Sequence, residues 1–340
     1  MNSPIRVLMV TPAPVDEAAL APVRAAAPGA QLEMRVAKSV TELDETWPGF
    51  QVLYTAHDLP RPEQMPDLDW VQAHFAGMDH LLAAGSPLLR QVKLTTASGI
   101  HATPMSEYAL MMMLAFAHRL PQMAADQTRA HWSETRWSDY VPTELRGQNL
   151  GILGYGSVGR EMARLATALG MRVLALKREE SPKADSGWQI AGLGDPEGVL
   201  PARYFTPDEL PLLLADSDYV LLTLPLTEAT RHIINRQSLA HMKRSAVLMN
   251  VGRGGLVDEP ALIEALQTGR LRGAGLDVFE TEPLPADSPL WSLPNVLVSP
   301  HISGFSPVYD VRAMELFAEN LRRYMAGGHM FNLVDLSGGY

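Results

Sequence analysis

Apolar residues along this chain gather in short runs separated by longer stretches of mixed character. IRVLMV, QLEMRVA, QVLYTA, LDWVQAHF and KLTTA mark the N-terminal part, and each predicts a strand. VDEAALAPVRAAA, between the first two, is rich in Ala and predicts a helix. NLGILG opens a second block, followed by the helical GREMARLATALG. MRVLAL, DYVLLTLP, AVLMNVG, AGLDVF and NVLVSP then read as strands, most of them with helical segments between. Short apolar strands alternating with helices imply parallel sheets covered on both faces. The fold class is therefore α/β, with two Rossmann-like doubly wound parallel-sheet domains.

The last helical stretch, VYDVRAMELFAENLRRYMAG, runs from Val308 to Gly327. Its position implies that the chain crosses back to the first domain. The first domain is then discontinuous, 1–101 with 302–340, the second is 102–301, and an active-site cleft is expected between them. The tail after Gly327 reads as a short surface segment. TPMSEYALMMMLAFAHRL, Thr103 to Leu120, predicts a helix in which Thr103 is the cap, Pro104 takes the first position, and Ser106 and Glu107 fall in the first turn. It is apolar nearly all round, so it should be buried between layers or subunits. Met111, Met112 and Met113 read as core packing.

The chain has 340 residues, a natural size for two domains. Its net charge of −10, without a long run of one sign, argues against nucleic acid and anionic membrane as partners. There are no cysteines, which excludes disulfides and thiolate metal sites, and no metal is expected. YALMMMLAFA is about half the length that a membrane span needs. These features read as a cytoplasmic protein.

Gly154, Tyr155, Gly156, Ser157, Val158 and Gly159 match G-x-G-x-x-G between a predicted strand and a predicted helix. Gly154 permits the tight turn, Gly156 lets backbone approach a pyrophosphate, and Gly159 lets helix and strand pack closely. The phosphates would lie at the positive end of the helix. In the NAD form of such a site, an acid at the end of the second strand takes the ribose 2′-hydroxyl. Here Lys177 and Arg178 stand there, which suits the 2′-phosphate of NADP. Glu179 and Glu180 follow, so a shifted acid is the alternative, and NAD remains an open second cofactor.

Arg253, Asp277 and His301 each come at or just past a strand end, with Glu282 shortly after Asp277. In open α/β sheets ligands bind at that rim. GYGSVG, NVGRGGLVDE, LDVFETEP and SPHISG, in this order, resemble the D-isomer-specific 2-hydroxyacid dehydrogenases, including the glyoxylate/hydroxypyruvate reductases. FAGMDHL and ASGIHATPMSEYAL extend the resemblance over nearly the whole chain. It implies an oxidoreductase that moves a hydride between NADP, or NAD, and a 2-keto or 2-hydroxy acid. It implies catalytic roles for Arg253, Glu282 and His301. Arg253 would hold the substrate carboxylate and polarise the keto oxygen, His301 would exchange the proton, and Glu282 would orient His301. Backbone around Ala76, Gly77 and Met78 would bind the carboxylate from the first, substrate-binding domain, and Asp277 would accept from the nicotinamide carboxamide. The cofactor would also touch Leu224, Pro225, Thr230, Val251, Gly252, Arg253, His301, Ser303 and Gly304. The resemblance further implies a homodimer, with the Thr103–Leu120 helix in the contact.

Some stretches depart from the family pattern. Thr223-Leu224-Pro225-Leu226-Thr227 lacks a histidine common in the family, and Phe75 replaces a small residue before the Ala-Gly turn. SPKADSGWQIAGLGDPEGVLPARYF, 181–205, is a long Gly-, Pro- and Asp-rich interruption. It could cover the adenosine end of the cofactor or make a subunit contact. Two alternatives stay open at this point: a dinucleotide-binding protein without catalysis, and a dehydrogenase of a smaller donor such as formate.

Overall fold

The computed structural model describes residues 4–78, 81, 85–178 and 183–335. The chain divides into two compact units. Unit 1 is Met1–His101, Ser186–Ile190 and Ser306–Tyr340, and unit 2 is Ala102–Asp185 and Ala191–Phe305.

Unit 1 holds β1 (Arg6–Thr11), β2 (Gln31–Val36), β3 (Val52–Thr55), β4 (Trp70–Ala73) and β5 (Lys93–Thr95). They pair in the order β2-β1-β3-β4-β5, all parallel. Period two along β1 sends Val7 and Met9 to one face and Leu8 and Val10 to the other. Each face has its own buried cluster. Burial on both faces is why this strand reads as an unbroken apolar run. The helices Glu17–Ala26 and Tyr309–Met325 cover the Val7 face.

The described part of the tail, 328–335, is not simply a surface segment. Met330 is buried, and Phe331 exchanges backbone hydrogen bonds with the Asn320 side chain, accepting at 3.2 Å and donating at 2.7 Å. Leu333 bridges Thr95, and the Val334 amide donates to Leu94 O at 2.8 Å. The docked tail gives the edge strand β5 partners on its open side, a common way of protecting a sheet edge.

Unit 2 holds β6 (Asn149–Leu153), β7 (Arg172–Leu176), β8 (Arg203–Phe205), β9 (Tyr219–Leu222), β10 (Val247–Asn250), β11 (Gly273–Leu276) and β12 (Val296–Val298). Their order is β12-β11-β10-β9-β6-β7-β8, again parallel throughout. From β6 the chain goes to β7 on one side and later to β9 on the other, so β6 borders the topological switch point. The register aligns Val298, Leu276, Asn250, Leu222, Leu153 and Leu176 in one row. Everything just past that row lies along one carboxyl edge.

The apolar stretch forms the helix Ala102–Ala117, and a second helix, Leu120–Thr128, follows a left-handed Arg119 with φ 58°. Met112 and Met113 are core, as expected, and a side chain at Gly275 would collide with Met112 Sδ at 2.6 Å. Met111 is not: it is 49% exposed, beside Leu114 at 38%. The helix packs on one side, against β10, β11 and the helix Ser157–Ala168, so the opposite stripe stays outside.

The described part of the long interruption, 183–205, is folded. It ends in β8, a strand that its composition did not announce. The Asp195 carboxylate takes the Val199 and Leu200 amides at 3.0 and 2.9 Å and the Tyr155 hydroxyl at 2.7 Å. Arg160, 2% exposed, donates to the carbonyls of Asp195 and Lys183 at 2.5 and 2.6 Å. Ser186–Ile190 belong instead to unit 1, where Trp188 packs on the core beneath β1 and its amide donates to Asn332 Oδ1 at 3.4 Å.

Candidate active site

The glycine turn leaves β6 and enters the helix Ser157–Ala168, with Gly156 as its N-cap. Each glycine has its own reason. Gly154 sits at φ 105°, where a Cβ would also lie 2.9 Å from Leu224 N. A Cβ on Gly159 would lie 2.4 Å from Gly154 O, so that glycine serves the helix–strand contact. A Cβ on Gly156 would meet no protein atom within 4 Å. Nothing inside the chain requires a glycine there; a ligand seated on the turn would. First-turn amides and the helix dipole make this a fitting place for a pyrophosphate. Thr223 Oγ1 donates to Gly154 O at 2.6 Å and ties the turn to the end of β9. The Tyr155 side chain is buried against Asp195 and faces the protein, so only its backbone belongs to the turn.

Lys177 and Arg178 follow β7. The Lys177 amide donates to Phe205 O at 2.9 Å; its side chain is part-buried, whereas Arg178 is exposed. Burial lowers the Lys177 ammonium from its ordinary value, and Arg160 and Arg178 add to this against the opposing pull of Asp185. Cations that disfavour one another form a site that an added dianion would relieve. Glu179 and Glu180, the alternative ligands for a ribose hydroxyl, lie outside the described residues.

On the other side of the switch point, Leu224 and Pro225 follow β9. The Thr230 hydroxyl donates to Pro225 O at 2.7 Å and closes that loop. Val251 and Gly252 are buried just past β10, and Arg253 is partly exposed. Asn250, which motif reading passed over, donates to Arg253 O at 2.8 Å and accepts from Gly252 N at 3.1 Å. A polar residue ending an apolar strand was the available signal.

Asp277 follows β11 and is fully buried. Its Oδ1 accepts from Ile302 N at 2.9 Å and Ser299 Oγ at 2.7 Å, and its Oδ2 from Ser303 N at 2.9 Å. Burial alone would raise this carboxyl, yet hydrogen bonds from Ser303, Ile302 and Ser299 outweigh it and hold the group below its ordinary value. His301 between these donors is left-handed, at φ 55°, and its amide donates to Asp277 O at 2.9 Å. A non-glycine residue in that region costs on the order of 1 kcal/mol. Asp277 is the clamp that holds it there. Gly304 continues the same segment.

His301 Nδ1 lies 2.7 Å from Glu282 Oε2, while Glu282 Oε1 accepts from Phe279 N at 3.0 Å. The carboxylate is thus anchored to backbone on one oxygen and to the imidazole on the other. This selects a protonated Nδ1 and leaves Nε2 as the reactive nitrogen. In unit 1, Ala76–Met78 follow β4, with Met78 fully buried. Among the described residues no group of His, Asp and Glu could hold a metal ion. No helix among them is long and apolar enough to cross a membrane.

A glycine turn at a switch point and an imidazole–carboxylate pair on the same strand edge define a nicotinamide-dependent oxidoreductase. The chain belongs to the D-isomer-specific 2-hydroxyacid dehydrogenases: residues 110–303 match the family's NAD-binding domain. Glyoxylate/hydroxypyruvate reductase B of Pectobacterium carotovorum is 39% identical over 233 residues, 68% of each chain. The structure of a D-isomer-specific 2-hydroxyacid dehydrogenase from Xanthobacter autotrophicus, in complex with NADPH and MES, superposes with TM-score 0.81 at 30% identity over all of both chains. An NADPH-dependent glyoxylate/hydroxypyruvate reductase from Sinorhizobium meliloti, in complex with NADP and sulfate, gives TM-score 0.79 at 28% identity over 98% of this chain and 100% of that one.

Proposed function

We propose that this chain reduces small 2-keto acids to D-2-hydroxy acids, with NADPH as the preferred cofactor and NADH as a poorer one. The observation that carries this reading is the His301–Glu282 pair, 2.7 Å apart, on the strand edge that also bears the glycine turn. Gly154 to Gly159 would hold the pyrophosphate, and Lys177 and Arg178 the 2′-phosphate. When bound, the nicotinamide supplies the hydride. Glu282 orients His301 and keeps a proton on its Nδ1, so that Nε2 can give its proton to the developing alkoxide. Arg253 offers a planar fork of donors, suited to a carboxylate and to polarising the adjacent keto oxygen. In unit 1, the backbone amides of the Ala76–Met78 turn are suited to a substrate carboxylate.

The names of the relatives support glyoxylate and hydroxypyruvate as first substrates, and the NADPH and NADP in the solved structures support the cofactor choice. The chain also acts as a homodimer in this proposal. Exposed Met111, Leu114, Leu120 and Met123 on consecutive helices, in a hollow also lined by Glu107 and His118, support a contact there. Steady-state rates with glyoxylate, hydroxypyruvate, pyruvate and bulkier keto acids, each with NADPH and NADH, test the reading. Turnover of a small keto acid with NADPH is expected. No turnover on any of them, with NADPH demonstrably bound, would leave a binding protein in its place.

A further inference from the structure

The residues just before the Ala76–Met78 turn are held from several directions, all within unit 1. The His74 amide continues the sheet by donating to Thr55 O at 2.8 Å. The Tyr54 hydroxyl, fully buried, lies 2.5 Å from His74 Nδ1. Phe75 O accepts from Ala97 N at 3.1 Å. The Phe75 ring meets His74 edge-on at 4.8 Å between centroids and lies 5.7 Å from His57. On the far side of the turn, Met78 is sunk in the opposite core cluster.

Tyr309 completes this frame. It opens the helix Tyr309–Met325, 235 positions along the chain from His74. Its hydroxyl donates to His74 O at 3.1 Å. Its ring lies 5.0 Å from His74, 6.4 Å from Phe75 and 5.1 Å from His101. Burial pushes its phenol up, followed in effect by Asp310, so the hydroxyl remains a donor at any ordinary pH. The carbonyl that it holds belongs to the second residue before Ala76. Tyr309 at the His74 carbonyl and Ala97 at the Phe75 carbonyl are successive anchors of the strand end from which the turn leaves, so losing the first loosens the backbone that enters the turn.

We propose that Tyr309 is a positioning residue for substrate: through the His74 carbonyl, its hydroxyl sets the backbone of the Ala76–Met78 turn that binds the keto-acid carboxylate. This rests on the function proposed above. The turn touches the carboxylate and not the reacting carbon, so losing the hydroxyl should weaken substrate capture and spare the proton and hydride steps.

Tyr309→Phe keeps the ring contacts and removes only the hydroxyl. Loss of one neutral hydrogen bond predicts a KM for glyoxylate or hydroxypyruvate about three- to tenfold higher. kcat and the KM for NADPH should stay within about twofold of wild type. Tyr309→Ala, which also loses the ring contacts, should raise the keto-acid KM further. In the ligand-free protein, amide hydrogen exchange in a peptide covering His74 to Met78 should be faster in Tyr309→Phe, by more than its fall in overall stability accounts for. An unchanged keto-acid KM in active Tyr309→Phe overturns the proposal, as does a loss confined to kcat. If the wild-type protein turns over no keto acid, it is the proposed function that falls. The exchange measurement then decides alone: unchanged exchange means that Tyr309 does not hold the turn.

Discussion

Replacing Lys177 with Asp and Arg178 with Ala removes two positive charges at the end of β7 and puts a negative one in their place. In NADP that position faces a 2′-phosphate, in NAD a hydroxyl. Lys177 is part-buried, and its ammonium is already disfavoured by burial and by Arg160. A charge-assisted contact in such a place contributes about 1.5–2 kcal/mol. Arg178 is exposed, and an exposed pair contributes about 0.5–1 kcal/mol. The sum, roughly 2–3 kcal/mol, corresponds to a wild-type preference for NADPH of about 30- to 150-fold in kcat/KM. The double variant should lose that preference or reverse it, mostly through the KM for NADPH, because the hydride chemistry is distant from this anchor. Raising the salt should shrink the wild-type preference, more through Arg178 than through Lys177. The assay is steady-state kcat/KM for both cofactors at two ionic strengths. Equal values for NADPH and NADH in the wild type, or an NADH preference, would refute the reasoning and leave the two cations as a solvated strand end.

Three further outcomes follow from the geometry. His301→Ala should lower kcat by about 10²- to 10⁴-fold with NADPH binding largely intact, as measured by titration of cofactor fluorescence; wild-type turnover across the pH range would remove its role as proton donor. Gly159→Ala forces a Cβ to 2.4 Å from Gly154 O and should cost about 2 kcal/mol or more, read as a lower Tm, whereas Gly156→Ala meets no protein atom and should keep Tm while weakening NADPH binding; equal Tm losses would contradict the distinction. Burial, aided by His57 against the pull of Asp310, lowers His74 from 6.5 to about 4, so the unfolded chain binds a proton that the fold refuses between those values. Stability is therefore complete above about pH 6.5 and falls as pH drops toward 4, by up to about 3 kcal/mol, and His74→Asn should flatten this slope in urea titrations; an unchanged slope would rule His74 out as its source.

Much of this protein follows from its chain read locally. Apolar runs buried on both sheet faces, glycines where a turn demands them, and polar residues just past strand ends are all properties of neighbours in sequence. They placed nearly every strand, the glycine turn, and the strand-end positions of Arg253 and His301, with Glu282 close behind in sequence. The rest depended on register across space. β8 is too short and too polar to announce itself, and became a strand because β7 offered an open edge. Met111 looked like its neighbours Met112 and Met113 until the helix acquired one packed face and one outer face. Asp277 clamps the left-handed His301 only because β11 and β12 run parallel in one register, which brings a carboxylate to amides about 25 residues away. The tail, the Ser186–Ile190 segment and Tyr309 all took their places on unit 1 from remote parts of the chain. Periodicity and turn chemistry carry no information about contacts at such separations, because these are selected by which surfaces remain to be covered once the sheets have formed.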